Sequence, residues 1–241
     1  MEITEISNNS LPTHIGIIMD GNRRWAKKKF LPSLAGHSRG AEIFKSMAIY
    51  CNKIGIKYLT VYAFSTENWK RSKDEVSYLM NLFKKYLSDT ILEKFGFENI
   101  RIKFIGDISK FPAEMRKMIK KIETKSSKNN GMTLNIAINY GGREELTNAT
   151  KLIAQEIKEN KINIEDISEE YLSNKLYNSN QPDIDLIIRT AGEQRISNFM
   201  LWQSAYAEFY FTSILWPDFN ENELNKAINE YSTRVRRFGG A

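Results

Sequence analysis

Six short runs of apolar residues, at 15–19, 58–64, 100–105, 132–139, 185–189 and 208–211, alternate with longer segments in which apolar residues recur three and four positions apart. The longer segments, 41–53, 74–94, 113–126, 144–159 and 221–236, carry charge between their apolar positions and read as amphipathic helices. The first short run, Ile15-Gly16-Ile17-Ile18-Met19, is too continuously apolar to leave one face in water, and reads as a strand covered on both faces. Strand followed by helix, repeated along the chain, predicts right-handed βαβ units around a mostly parallel six-stranded sheet flanked by helices, an α/β fold. No proline- or serine-rich linker and no internal repeat interrupts the pattern, so residues 1–241 read as one domain, with 1–12 a flexible N-terminal segment.

The polar residues that follow each run carry the chemistry, because ligands of open parallel sheets bind just beyond the carboxyl ends of the strands. The first run leads directly into Asp20-Gly21-Asn22-Arg23-Arg24-Trp25. A carboxylate, a glycine that lets backbone amides approach and two arginines equip that strand end to hold an anion through a divalent metal, with phosphate or diphosphate the natural candidate.

Composition narrows the classes. With 41% hydrophobic and 12% aromatic residues in 241, the chain has ample core for one large domain. A single cysteine, Cys51, excludes an internal disulfide framework and a cysteine zinc site, and reads as a buried thiol. No apolar segment is long enough to span a bilayer, and residues 1–10 lack the regions of a signal peptide, so a cytoplasmic protein is expected. The net charge of +6 suits a nucleic acid, an anionic membrane surface or a phosphorylated small molecule alike. The lysine-rich stretch 117–128 reads as a solvated helix face.

Neither G-x-x-x-x-G-K-[ST] nor G-x-G-x-x-G occurs, and His14 and His37 are too few for a multi-histidine metal site, which leaves hard-metal chemistry through carboxylates. The second run ends in Ser65-Thr66-Glu67-Asn68-Trp69-Lys70-Arg71, which reads equally as a helix cap and as a second polar wall beside Asp20. Gly36-His37-Ser38-Arg39-Gly40 reads first as a structural turn and, beside the other clusters, as a phosphate donor at a helix start. The strongest anion signal is Arg189-Thr190-Ala191-Gly192-Glu193-Gln194-Arg195-Ile196-Ser197-Asn198, where two arginines flank a glycine turn after a buried run. Glu208, alone in the apolar stretch 199–211, needs a cation: an arginine if it is structural, or a metal shared with Asp20.

These residues together resemble the cis-prenyltransferases, and among them the bacterial undecaprenyl diphosphate synthases. The resemblance runs over nearly the whole chain: 14–25, Gly36-His37, 62–69, Ile105-Gly106-Asp107, 134–137 with 139–143, 185–211, 215–219, and the terminal Arg236-Arg237-Phe238-Gly239-Gly240. It implies repeated addition of isopentenyl diphosphate to an allylic primer such as farnesyl diphosphate, with a long-chain polyprenyl diphosphate as product and cell-wall carrier lipid as its use. It implies Mg2+ at Asp20, which assists departure of the allylic diphosphate, with Glu208 completing the metal site. Gly21, Asn22, Arg23, Arg24 and His37 would hold the allylic diphosphate, and Arg189, Arg195 and Ser197 the isopentenyl diphosphate. Asn68 and Arg71 would position the reacting ends, Asn68 counting as catalytic beside Asp20, while Trp25, Ser65, Glu67 and Trp69 join the substrate-binding set.

The resemblance further implies a homodimer with Arg237 and Gly239 near the partner's active site, and peripheral contact with membrane lipid, at the inner face, for product release. An apolar tunnel between sheet and helices, lined by 76–92 and by small Ala63, would take the growing chain. Each added isoprene unit buries about five carbons, roughly 3 to 4 kcal/mol, so late intermediates are expected to be held tightly and release to limit turnover. Two positions depart from the pattern: Ser33 stands where the family often has an arginine, and Arg23 where bacterial relatives commonly have glycine. Arg23 or Lys29 is expected to restore part of the lost charge. Three rivals fit less well. A trans-prenyltransferase needs Asp-Asp motifs, and the chain has no such pair. A non-catalytic or partner-dependent subunit would have lost the 20–25 cluster. A nucleic-acid module would spread its cations over a face with aromatics between, and none is expected here.

Overall fold

The computed structural model describes residues 11–87 and 99–235. Six strands form one sheet: β1 (His14–Ile18), β2 (Tyr58–Ser65), β3 (Arg101–Ile105), β4 (Thr133–Tyr140), β5 (Leu186–Arg189) and β6 (Glu208–Phe211). Their order is β3-β4-β2-β1-β5-β6 and every pairing is parallel. The helices among the described residues are α1 (Asn22–Lys28), α2 (Ser33–Ile54), α3 (Lys73–Tyr86), α4 (Ala113–Ser126), α5 (Gly142–Lys158), α6 (Glu169–Ser173) and α7 (Glu221–Thr233). From β1 the chain crosses to β2 on one side and later returns to β5 on the other, and such a switch point opens a crevice at the carboxyl ends of the strands.

Alternation along the strands divides the core. Ile15, Ile17, Leu59, Val61, Leu134, Leu186 and Ile188 point into the larger half, with Met47 and Ala48 of α2, Ile119 and Ile122 of α4 and Leu224 and Ile228 of α7. Ile18, Ala137, Tyr140 and Ile187 point the other way, onto Phe199 and Met200. Both faces are covered at the centre of the sheet, which is why β1 from Ile15 to Ile18 and β5 from Leu186 to Ile188 are apolar without a break. Cys51 is fully buried on α2, and burial pushes its thiol up to about 12, so it behaves as a small apolar side chain. Among the described residues no helix is long and apolar enough to cross a membrane.

The strands fall where the pattern predicts them, and the helices differ in four places, one of them the short α6, for which no apolar repeat is read. Residues 22–25, read as part of the polar cluster 20–25, open α1, a helix with little apolar periodicity because only Ala26 is buried. The following helix starts at Ser33, eight positions before its apolar repeat begins, and takes Gly36 and His37 into its first turns. Glycine is required there by packing: a Cβ on Gly36 would lie 2.0 Å from the Asn22 carbonyl oxygen. The last helix stops at Thr233, and Arg234 is extended; the predicted segment 88–94 and residue 236 lie outside the described residues.

Strands β2 and β4 are offset twice near their carboxyl ends. Tyr62 pairs with Ala137 and Phe64 with Ile138, leaving Ala63 unpaired; Ser65 then pairs with Tyr140, leaving Asn139 unpaired at φ 45°. Each is a one-residue bulge that swings its side chain sideways. Asn139 uses the swing to accept from the Trp69 indole at 2.7 Å and to donate to the Asp107 carbonyl at 2.7 Å. Ala63 comes to line a cavity.

Candidate active site

That cavity, about 660 Å³, opens at the carboxyl ends of β1, β2 and β5. Its interior is apolar, with Phe44, Val61, Ala63, Phe83, Ile102 and Ile136, and its mouth is polar, with Asp20, Asn22, His37, Asn68, Arg71 and Arg189.

Asp20 is fixed by backbone and side chains together. Its amide donates to Thr190 Oγ1 at 2.9 Å, and Thr190 donates back to the Asp20 carbonyl at 2.7 Å. One carboxylate oxygen accepts the Gly21 amide at 2.7 Å, with Arg24 at 3.6 Å; the other accepts from Arg189 Nη2 at 2.9 Å. Gly21 has φ 104°, and a Cβ there would press within 3.0 Å of Leu215 and Ala191. The glycine is thus needed to start α1 directly behind the carboxylate. Arg189, only 4% exposed, also donates to Ser197 Oγ at 2.7 Å and to the Arg195 carbonyl, so one guanidinium ties Asp20 to the 195–197 turn. The 191–198 segment that holds the turn is strained, with positive φ at Ala191, Ser197 and Asn198.

Across the mouth, three basic side chains gather on one carboxylate. Glu75, at the start of α3, lies 2.8 Å from Arg71, 3.6 Å from His37 and 3.7 Å from Arg23. Burial and the neighbouring Arg71 lower the His37 pKa, which keeps the ring neutral near pH 7. Asn68 Oδ1 accepts the Ser65 amide at 3.1 Å, the local cap that the sequence suggests. Burial works against ionisation of Glu67, but hydrogen bonds from its own amide, Asn198, Ser65 and Thr66 outweigh it and hold the carboxyl below its ordinary value. Three buried polar atoms at the mouth have no hydrogen-bond partner: Asn22 Oδ1, His37 Nε2 and Arg189 Nε.

The cavity lining thus includes Asp20, Asn22, His37, Ser65, Glu67, Asn68, Arg71, Arg189 and Ser197. Other sequence-predicted residues stand elsewhere. The Trp25 indole donates to Asp218 at 2.7 Å, away from the lining, and Trp69 is held by Asn139 between Phe64 and Phe111. The Arg195 side chain pairs with Glu193 and is 60% exposed, and Arg24 bridges Ala191 and Glu193. Lys29 is exposed at the end of α1. Arg237 and Gly239 lie outside the described residues.

The expected Asp20 and Glu208 metal pair is not assembled within the chain. Glu208 opens β6 opposite Leu186, whose other neighbour is Ile15, whereas Asp20 lies five residues further along and two strands across. At about 3.3 Å per residue and 4.8 Å per strand, more than roughly 15 Å separates the two backbones. Glu208 instead takes the arginine that the structural reading required, Arg234 at 2.7 Å. Among the described residues no three acidic, histidine or cysteine side chains form a metal cluster. Asp20 alone still fits a hard cation of the kind bound by one carboxylate and substrate phosphate oxygens. The residue that sequence reasoning missed is Glu75; its only signal was its position four after Arg71 on the face of a helix.

Comparison with known proteins agrees with this chemistry. A family model described as putative undecaprenyl diphosphate synthase matches residues 18–239. An isoprenyl transferase of Clostridium perfringens is 49% identical over 232 residues, covering 96% of this chain and 91% of that protein. A ditrans,polycis-undecaprenyl-diphosphate synthase, (2E,6E)-farnesyl-diphosphate specific, of Pasteurella multocida is 48% identical over 239 residues, covering 99% of each. The crystal structure of lavandulyl diphosphate synthase from Lavandula x intermedia, in complex with dimethylallyl diphosphate, superposes with a TM-score of 0.92 at 38% identity, covering 96% of this chain and all of that one. A parallel sheet with an apolar, polar-mouthed cavity is here the scaffold of an enzyme that transfers prenyl groups. The chain belongs to the undecaprenyl diphosphate synthase family, as the order of its motifs implies.

Proposed function

We propose that this enzyme condenses isopentenyl diphosphate repeatedly onto an allylic primer, farnesyl diphosphate, to give undecaprenyl diphosphate, and that residues 1–241 form the single domain that does so. The observation that carries the proposal is one cavity with two chemistries: a cationic mouth that suits diphosphates and an apolar interior that suits a hydrocarbon chain. The primer's diphosphate is assigned to Asn22, Arg23, Arg24, His37 and Arg71 with the amides after Gly21. The isopentenyl diphosphate is assigned to Arg189 and Ser197, with Arg195 turning inward from Glu193. Asn68 and Ser65 orient the reacting carbons between them. Arg237 and Gly239 complete the second site from the partner in a homodimer.

As the allylic carbon–oxygen bond breaks, negative charge accumulates on the departing diphosphate. Cations and amides already fixed around it stabilise that charge without reorganising. The alkene of isopentenyl diphosphate then attacks the allylic carbon, and loss of a proton from the new unit restores a double bond. Asp20 would hold Mg2+, and the bound ion would supply Lewis-acid stabilisation of a departing diphosphate. Glu75 keeps Arg23, His37 and Arg71 together before the primer arrives. The hydrocarbon extends past Ala63 into the apolar interior, which serves as the tunnel. The enzyme acts in the cytoplasm, at the inner face of the membrane that receives its product as carrier lipid for cell-wall synthesis.

The test is incubation with farnesyl diphosphate, labelled isopentenyl diphosphate and Mg2+, with and without EDTA, followed by chain-length analysis. A metal-dependent polyprenyl ladder is expected. No incorporation by folded protein with any allylic primer would overturn the reading in favour of a partner-dependent subunit.

A further inference from the structure

Eight consecutive residues from the end of α1 across the connection to the start of α2, Lys27-Lys28-Lys29-Phe30-Leu31-Pro32-Ser33-Leu34, are all exposed. Phe30 is 97% exposed, Leu31 45% and Leu34 38%. The backbone makes Phe30 harder to explain. The helix α1 closes with the Phe30 amide donating to the Lys27 carbonyl at 3.1 Å and the Leu31 amide to the Ala26 carbonyl at 2.9 Å. That hydrogen-bond pair is a Schellman motif, whose left-handed position ordinarily belongs to glycine. Phe30 occupies it at φ 55°. A large apolar side chain therefore stands in an unfavourable backbone conformation and gains almost no burial, so neither local structure nor the core of the folded chain accounts for it.

The charge around it selects a partner. Residues 21–41 contain no acidic residue, and Arg23, Arg24, Lys27, Lys28, Lys29 and Arg39 all lie there. Lys27, Lys28 and Lys29 have no ion-pair partner among the described residues. An aromatic tip with two leucines, ringed by unpaired lysines, matches an anionic bilayer surface, where ammonium groups meet headgroups and the ring enters the acyl boundary. The loop also joins the two helices that supply Asn22 and His37 to the cavity mouth, and Tyr78 of α3 donates to the Leu34 carbonyl at 3.3 Å.

We propose that the 27–34 loop docks the enzyme on an anionic lipid leaflet and so sets the cavity mouth against the bilayer that receives its product. The proposal rests on the reading of the product as a lipid diphosphate.

The test is co-sedimentation with vesicles of equal parts phosphatidylglycerol and phosphatidylcholine, and with phosphatidylcholine alone, for the full chain and for Phe30→Ser and Lys27→Gln/Lys28→Gln. The wild type is expected to bind the anionic vesicles and to be released by salt. Either variant is expected to lower partitioning by about tenfold, with chain elongation in detergent unchanged. Anionic-vesicle binding that is absent, insensitive to charge or equal in the variants overturns the proposal. So does a Phe30→Ser change in the sedimentation of the protein alone, which would mark the loop as an interface between copies. Elongation is measured on the same samples: vesicle binding without polyprenyl product would overturn the functional reading and leave the docking surface standing.

Discussion

Both edges of the sheet bury polar side chains, and they treat them oppositely. At the amino edge, His14, Thr60 and Asn135 are each fully buried and fully matched. His14 bonds the Pro182 carbonyl at 2.8 Å and Thr60 at 2.7 Å, Asn135 donates to Thr60 at 2.9 Å and to Gln181 at 2.7 Å, and Gln181 donates back to Asn135 at 3.1 Å. At the carboxyl edge, Asn22, His37 and Arg189 each keep a buried atom without a partner, and left-handed residues crowd the turns. An unmade hydrogen bond and backbone strain both cost stability; Arg101 Nε at the start of β3 and Gln203 Oε1 are also unmatched, but three of the five such atoms among the described residues meet at this one crevice, which marks a surface kept for ligands rather than for folding. Type of residue does not make that distinction, since each edge has a histidine, asparagines and aspartates.

Substitutions can break the contrast. Asp20→Ala at the carboxyl edge is expected to lower turnover by at least about a thousandfold, the scale of losing transition-state charge stabilisation. Circular dichroism and thermal unfolding should show the fold retained. A loss below tenfold would remove Asp20 from the mechanism.

The amino edge should respond to pH through stability instead. Burial lowers the His14 pKa from 6.5 to about 4, against the raising effects of the Pro182 carbonyl and Asp185. The folded value lies below the unfolded one, so between pH 6.5 and 4 the unfolded chain binds the extra proton. Stability from this group is complete above pH 6.5 and is lost as the pH falls toward 4, by up to about 3 kcal/mol. Urea midpoints from pH 7.5 to 4.5 should show the decline in the wild type and a shallower one in His14→Gln. Equal slopes would mean that other groups set the acid sensitivity.

Arg23→Gly should have the smallest effect and probes the contrast most finely. Its guanidinium is largely exposed and reaches the site only through Glu75. The KM for farnesyl diphosphate is expected to rise about fivefold, near 1 kcal/mol, with that for isopentenyl diphosphate unchanged. An unchanged primer KM would leave the missing arginine at Ser33 uncompensated by this residue.

The strands and the motifs after them were legible in sequence because each strand is a mostly apolar run, continuous at the twice-covered β1 and β5, and the chemistry follows where each run stops. Asp20, Arg189 and Ser197 could be placed together on that ground alone. The start of α2 was hidden because Gly36 and Gly40, poor helix formers, are there to let α1 approach, a requirement no local pattern records. The place of Glu208 depended on which end of its strand it occupied. Its run begins with it, so it falls on the edge away from Asp20, and reading strand direction as well as strand identity would have found this. Glu75 looked like any acid in the first turn of a helix, and only tertiary packing brings two arginines and His37 to it.

The paired bulges in β2 and β4 behave like two frameshifts of opposite sign. Tyr58 pairs with Thr133, and Ser65, seven residues on, pairs with Tyr140, also seven on. The slip at Ala63 is cancelled by the slip at Asn139, and the reading phase of the two strands is restored before the chain reaches Ser65. Losing either residue alone would put every later side chain of its strand out of step with its neighbour, whereas losing both would restore step at the expense of the Trp69 clamp and the cavity wall. Length changes in these two strands can therefore be inherited only as a couple, and alignments of distant relatives should show gaps at the two positions together or at neither.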